Sequence, residues 1–259
     1  MHYRYNNYTI KRLVRGELLR VKRYTEDSIT LEFGDEISPE LNKRIVSTRK
    51  YIDSLELESV VETVISYTRL VIYFDVLKTD TEKLIRVIEA IDLNEISKED
   101  YAYRVVEIPV CYGGEYGPDL ALFEDEGLTA DEVIERHANK EYLVYMLGFM
   151  PGFVYLGGLD EKLFKERLAS PRTNIQAGSV GIAGQQTGVY PFNSPGGWNL
   201  IGRTPIKLYD LRRGEETILY DAGDRIIFRP ITTEEFKEIE KEVERGSYKV
   251  KVKVEGGVE

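Results

Sequence analysis

The chain has 259 residues, 42% of them hydrophobic, with a formal charge of −10 and an isoelectric point near 5.0. That length and apolar content suit one large domain or two ordinary ones, and the acidic balance argues against nucleic acid or an anionic membrane surface as a partner. The single cysteine, Cys111, excludes an internal disulfide framework and a cysteine-rich metal site and suits a reducing cytoplasm, while no apolar run approaches the roughly 18–20 residues of a membrane span.

Residues 1–22 are basic and rich in tyrosine, without periodicity, and read as an N-terminal extension. From residue 28 the pattern sharpens. SITLEF (28–33) alternates as a strand. Ser38 is placed to cap a helix with Pro39 at its first position, and Leu41, Ile45, Ile52 and Leu55 share one face. VVETVISY (60–67) and RLVIYFD (69–75) predict two strands joined by a short turn. Thr79 and Glu82 have capping-box spacing for a second helix with an apolar stripe of Leu84, Val87, Ile88 and Ile91. RVVEIPV (104–110) predicts a further strand. The order β-α-β-β-α-β is that of the ferredoxin-like split motif.

Beyond Val110 the texture changes. Thr129 and Glu132 predict a capping box and a short helix to about Ala138. Short apolar runs then alternate with Gly/Pro turns from YLVYML (142–147) to RIIFRP (225–230), the pattern of an antiparallel barrel or sandwich. Thr232 and Glu235 cap a helix with Phe236, Ile239 and Val243 on one face, stopped at Gly246. KVKVKV (249–254) alternates as a strand whose lysines protect an edge. The expected organisation is an extension (1–22), an α+β ferredoxin-like domain (23–104) and a mainly β barrel domain with a C-terminal helix and strand (105–259).

The chemistry is narrowed by what is missing. With only His2 and His137, a histidine-rich zinc or iron site is not available, and no metal ligand is assigned. Neither GxSxG nor HExxH occurs. Cys111 reads as buried and inert rather than nucleophilic. AGSVGIAGQQTG (177–188) is glycine-rich but lacks the GK[ST] ending of a phosphate loop; tight barrel turns explain its glycines as well as a nucleotide does.

The stretch from Arg172 to Pro205 sheds nearly all its acids and lysines and keeps isolated polar groups, as small-molecule sites do. Gln185, Gln186, Thr187 and Tyr190 suit recognition of an amide or lactam, or simple satisfaction of turns. Arg203 and Arg172 suit bidentate binding of a carboxylate or phosphate, or a salt bridge to Glu115 or Asp119. Trp198 is a core residue or a ligand platform. His137 is a hydrogen-bonded core histidine or a general acid/base. Gln186, Tyr190, Arg203 and His137 are expected to lie close together on one concave wall of the second domain.

The segments CYGGEYGPDL (111–120), YMLGFMPGFVYLGGL (145–159), SPRT (170–173), AGSVGIAGQQTGVYPFNSPGGWNLIGRTP (177–205) and GDRIIF (223–228) resemble the family of the 5-oxoprolinase B subunit. That family is also described as allophanate hydrolase subunit 1 and as the KipI-type kinase inhibitors. The likeness runs from about Arg23 to Gly246, with Val154 where the family usually has proline and Asn174–Gln176 in place of a more usual Arg-Val-Pro-like stretch. It implies a ferredoxin-like first domain and a cyclophilin-like barrel, similar to part of the carboxyltransferase region of urea carboxylases. The activity it implies is ATP-dependent opening of 5-oxo-L-proline to L-glutamate, shared with subunit-A-like and subunit-C-like partners. ATP and its magnesium are then held by the complex and not by this chain alone. Inhibition of a sensor histidine kinase is the alternative, and a peptidyl-prolyl isomerase rests on fold analogy alone.

Overall fold

The computed structural model describes residues 9–14, 17–91 and 102–256. The chain divides into two compact units, Met1–Tyr101 with Gly256–Glu259, and Ala102–Glu255. Among the described residues no helix is long and apolar enough to cross a membrane.

The first unit is a five-stranded antiparallel sheet of β1 (Thr9–Val14), β2 (Glu17–Arg23), β3 (Ser28–Glu32), β4 (Val60–Ser66) and β5 (Arg69–Phe74), in the order β1-β2-β3-β5-β4. Helix α1 (Pro39–Ser54) follows β3 and packs against β4 and β5, and α2 (Thr81–Ala90) packs against β3. Ser38 caps α1 as its position dictates, its side chain accepting from the Leu41 amide at 3.1 Å. Leu41, Ile45 and Ile52 face the sheet.

Four expectations need correction here. The segment read as an extension supplies β1 and β2, because β3, buried at Ser28–Leu31, leaves an edge that β2 covers in register from Arg20↔Glu32 to Arg23↔Ile29. The cap of α2 is Asp80, which accepts from the Lys83 amide at 2.8 Å, not Thr79. Leu55 and Val87 are exposed, and Ile85 takes the buried place. Finally, the strand at 104–110 does not enter this sheet but runs in the second unit.

That strand, β6 (Tyr103–Tyr112), organises the second unit. Residues 105–110 pair in parallel with β14 (Arg225–Pro230) on one side, and residues 103–107 pair antiparallel with β15 (Lys251–Glu255) on the other. Its last two residues pair with β13 (Asn199–Arg203). Between these partners run β10 (Ser179–Ala183), β11 (Gln186–Val189), β8 (Val154–Gly157) and β7 (Glu141–Leu147), so that β6-β13-β10-β11-β8-β7-β14 closes into a seven-stranded barrel. Closure removes the edges that an open sheet would expose. Val106, Ile108, Val144, Ile182, Ile201 and Phe228 are among its buried filling. A two-stranded ribbon, β9 (Arg172–Ile175) with β12 (Ser194–Gly196), stands beside it.

Helix α3 (Ala130–Ala138) packs on β14, and α4 (Thr233–Arg245) on β6. α3 opens with the capping box read from the sequence: the Thr129 side chain accepts from Glu132 N, and the Thr129 amide donates to Glu132 Oε2 at 2.8 Å. Thr129→Ala is expected to cost about 1 kcal/mol. The shift of the urea midpoint reads it, and an unchanged midpoint would show that the box contributes nothing.

Candidate functional site

The turn after β6 is stitched to β13 by Gly113 N to Ile201 O (3.0 Å) and Asp119 N to Leu200 O (2.9 Å). This fixes Asp119, only 5% exposed, with both carboxylate oxygens engaged. One accepts from the Leu200 amide and the other from Arg172 Nη2, each at 2.7 Å. The salt bridge weighed for the arginines is therefore made by Arg172 to Asp119. The other amino nitrogen of Arg172, Nη1, is covered and has no hydrogen-bond partner, and nor has Ser194 Oγ on β12. Unspent buried donors are costly and uncommon in folded proteins.

An aromatic cluster lies on the same set of segments. Tyr190, Trp198 and Phe153 meet edge to face, with centroids 5.6 Å (Phe153–Tyr190), 5.8 Å (Phe153–Trp198) and 6.2 Å (Tyr190–Trp198) apart. Two glycines make this possible by leaving room. A Cβ on Gly188 would stand 3.0 Å from the Trp198 ring and 2.9 Å from the Val154 carbonyl, and one on Gly196 would overlap the Tyr190 hydroxyl. The Trp198 backbone N–H bonds that hydroxyl, yet burial wins and raises the phenol pKa. Tyr190 thus stays a protonated donor. Arg172 and Arg167 act on the same phenol through space.

His137 sits elsewhere, inside the barrel and fully buried. Its Nδ1 faces the Tyr112 hydroxyl at 2.8 Å and its Nε2 faces Thr187 Oγ1 at 2.8 Å. Thr187 donates its own proton to Gly181 O at 3.0 Å, so Thr187 accepts from Nε2–H and Nδ1 accepts from Tyr112. Phe228 stacks on the ring at 4.7 Å. Burial alone drives the imidazole pKa from 6.5 to about 3. Of the two readings left open, the hydrogen-bonded core histidine is the one this geometry fits.

The expected common wall of Gln186, Tyr190, Arg203 and His137 does not form. Tyr190 belongs to the aromatic cluster and His137 to the barrel interior. Arg203 is held between the Tyr116 and Phe236 rings, 4.9 and 5.0 Å from their centroids, with Nη1 donating to Gln176 Oε1. Gln186 is half-buried opposite Ala183, and Gln185 is exposed at the tip of the β10–β11 hairpin. The four lie on different elements: Gln186 opens β11, Tyr190 follows its end, Arg203 closes β13 and His137 is in the last turn of α3. The structure does unite Arg172, Tyr190 and Trp198, and adds Asp119, Ser194 and Phe153. Tyr112 carried no polar pattern that the sequence could reveal. Among the described residues no cluster of His, Cys, Asp or Glu side chains is placed to hold a metal ion.

Four of the motif segments, at 111–120, 145–159, 170–173 and 177–205, meet in this one constellation. Residues 19–219 match the carboxyltransferase domain, subdomain C and D, and the chain belongs to that family. Within it, the chain is 40% identical over 230 residues to the 5-oxoprolinase B subunit of Bacillus subtilis, a match covering 84% of this chain and 95% of that protein. The crystal structure of TTHA0988 superposes with a TM-score of 0.69 at 33% identity, over 80% of this chain and 40% of that longer one. Urea carboxylase of Kluyveromyces lactis, at 20% identity, shares the fold with a TM-score of 0.74 over 96% of this chain and 25% of its own.

Proposed function

We propose that the chain is the B subunit of an ATP-dependent 5-oxoprolinase, which opens the lactam of 5-oxo-L-proline to L-glutamate together with subunit-A-like and subunit-C-like partners. The observation that carries the reading is Arg172. Asp119 fixes one side of its guanidinium and leaves an amino nitrogen unspent, beside a protonated Tyr190 and the Trp198 cluster. A guanidinium so fixed suits a carboxylate, a phenol donor suits a lactam carbonyl, and an aromatic wall suits a five-membered ring. Arg172 holds the carboxylate, Tyr190 the lactam and Trp198 a face of the ring.

Nucleotide is another matter. The glycine-rich segment 177–188 is largely consumed in β10 and β11, where a Cβ on Gly181 would stand 3.1 Å from both the Asn199 carbonyl and the Trp198 side chain. Those glycines let strands and an indole approach one another, and no lysine follows them. That segment does not fit a nucleotide phosphate, and we assign ATP with its magnesium to the partners. Kinship also supports a cyclophilin-like barrel and a ferredoxin-like first sheet, since β2-β3-β5-β4 repeats that fold's strand order with β2 in the fourth strand's place. The buried lone thiol of Cys111 suits work in the cytoplasm.

The test is reconstitution. The chain alone is expected to release no glutamate, and the three-subunit mixture to release it only with ATP. Arg172→Lys is expected to raise KM for 5-oxoproline roughly 10- to 150-fold, because lysine keeps charge but loses the fork. Turnover by the isolated chain, or a reconstituted mixture that ignores 5-oxoproline, overturns the reading. An unaltered KM removes Arg172 from the site.

A further inference from the structure

A groove of about 380 Å³ lies between the 174–178 segment and helix α4, in the size range of small-molecule sites, roughly 300–1,000 Å³. Arg172, Tyr190 and Trp198 do not line it. Its charged groups are Arg203, Lys207, Glu240 and Glu244, and its neutral polar side chains include Asn174, Gln176 and Asn193.

Arg203 is restrained in an unusual way. Both its ring neighbours, Tyr116 and Phe236, hold the cation by its charge, and Gln176 takes one amino group. Among the described residues its other donors make no hydrogen bond. Glu240 and Glu244 stand four residues apart on α4, hence on one face, and both are exposed. Arg203 and Glu240 both act through space on the Tyr116 phenol, in opposite directions, so they flank the same ring. Yet no ion pair joins Arg203 to either glutamate among the described residues. The groove therefore presents opposite charges that do not neutralise one another.

Two carboxylates disfavour a phosphate or any other compact anion, and Arg203 with Lys207 disfavours a simple cation. A molecule carrying both signs a few ångströms apart satisfies both walls. We propose that this groove binds a free α-amino acid, its carboxylate on the Arg203 fork and its ammonium on Glu240 and Glu244. The amino acid is L-glutamate, an assignment that rests on the 5-oxoprolinase reading, in which glutamate is the product. The groove is then a product site separate from the Asp119–Arg172 constellation.

Titration calorimetry of the full chain tests this with three probes: L-glutamate, glutarate and 5-oxo-L-proline, the last two lacking the ammonium group. Glutamate is expected to bind at least about tenfold more tightly than either. The double variant Glu240→Gln/Glu244→Gln is expected to lose that preference without losing glutarate binding. Arg203→Lys is expected to weaken glutamate and glutarate alike. The double variant alters exposed positions only, and a thermal melt matching the unaltered chain confirms that it folds. Equal affinity for glutamate and glutarate, no glutamate binding, or a preference untouched by the double variant overturns the proposal. Glutamate release by the reconstituted subunits is scored separately. Turnover without glutamate binding overturns the groove and leaves the 5-oxoprolinase reading standing, and selective binding without turnover does the reverse.

Discussion

Below pH 6.5 the chain is expected to lose stability at about 1.4 kcal/mol per pH unit through His137 alone. The sign follows from burial. The folded imidazole has its pKa lowered to about 3, while the unfolded one keeps its ordinary value near 6.5. Between those values the unfolded chain binds one more proton than the folded chain, so acid pulls the equilibrium toward unfolding. The contribution is complete above pH 6.5 and is lost as pH falls toward 3. From pH 6.5 to 4.5 the loss is roughly 2–3 kcal/mol, a large part of a marginal stability. Nothing around the ring offers a compensating charge, since Thr187 is neutral and the neighbouring phenols of Tyr112 and Tyr142 have pKa values that burial raises.

The measurement is urea unfolding at pH 7, 5.5 and 4.5 for the chain and for His137→Gln, which keeps a donor and an acceptor but cannot titrate. Carboxylates with lowered pKa, such as Asp160 and Glu132, also lose stability in acid. They are common to both proteins and cancel in the difference. The variant is expected to show the flatter dependence on pH, and equal slopes would show that His137 becomes protonated without unfolding.

Asp119→Ala is expected to cost about 3 kcal/mol. The substitution strands the Leu200 amide, whose acceptor is removed, and leaves Arg172 without its counter-ion. Breaking a fully buried pair costs roughly 3–5 kcal/mol. The lower figure applies because the Arg172 side chain is 31% exposed and solvent screens part of its charge. Asp119→Asn keeps an acceptor for the amide and loses the charge, so it is expected to fall between the two. Urea midpoints rank the three proteins. An alanine variant within about 0.5 kcal/mol of the unaltered chain would mean that the carboxylate anchors neither strand nor arginine.

Local signals in the sequence reported local structure well. Ser38, Thr129 and Thr232 each cap the helix their spacing predicts, because a cap depends on three or four adjacent residues. The Gly/Pro rhythm after Val110 predicted many short strands, and a mainly β barrel is what forms. Pairing was less legible. RVVEIPV read as a strand, but its partners lie more than a hundred residues away, and its own pattern is compatible with either sheet. The N-terminal segment hid two strands because TIKRLV and ELLRVKR mix basic and apolar residues without strict alternation, which also describes a solvated extension. Of the candidate residues, Arg172, Tyr190 and Trp198 come together, whereas geometry separates Arg203 and His137 from them. Whether an arginine meets a carboxylate or two aromatic rings is decided by which strands become neighbours, and composition carries no record of that.

The pairing of β6 has a consequence for biogenesis. Arg104 meets Asp224, 120 residues further along the chain, and Tyr103 meets Glu255, 152 residues on. Folding of this unit therefore has high contact order, and the loop that must close before β6 gains a partner in β14 is nearly the length of the unit itself. On a ribosome adding about 5–20 residues each second, β6 emerges early and waits several seconds with its ladder groups unpaired. Until the last strands leave the exit tunnel, the nascent chain carries a ten-residue strand whose only earlier partner is β13, at its last two residues. The barrel is thus completed only near the end of translation, and a prematurely terminated chain ending before Arg225 offers β6 to the strands of other chains instead.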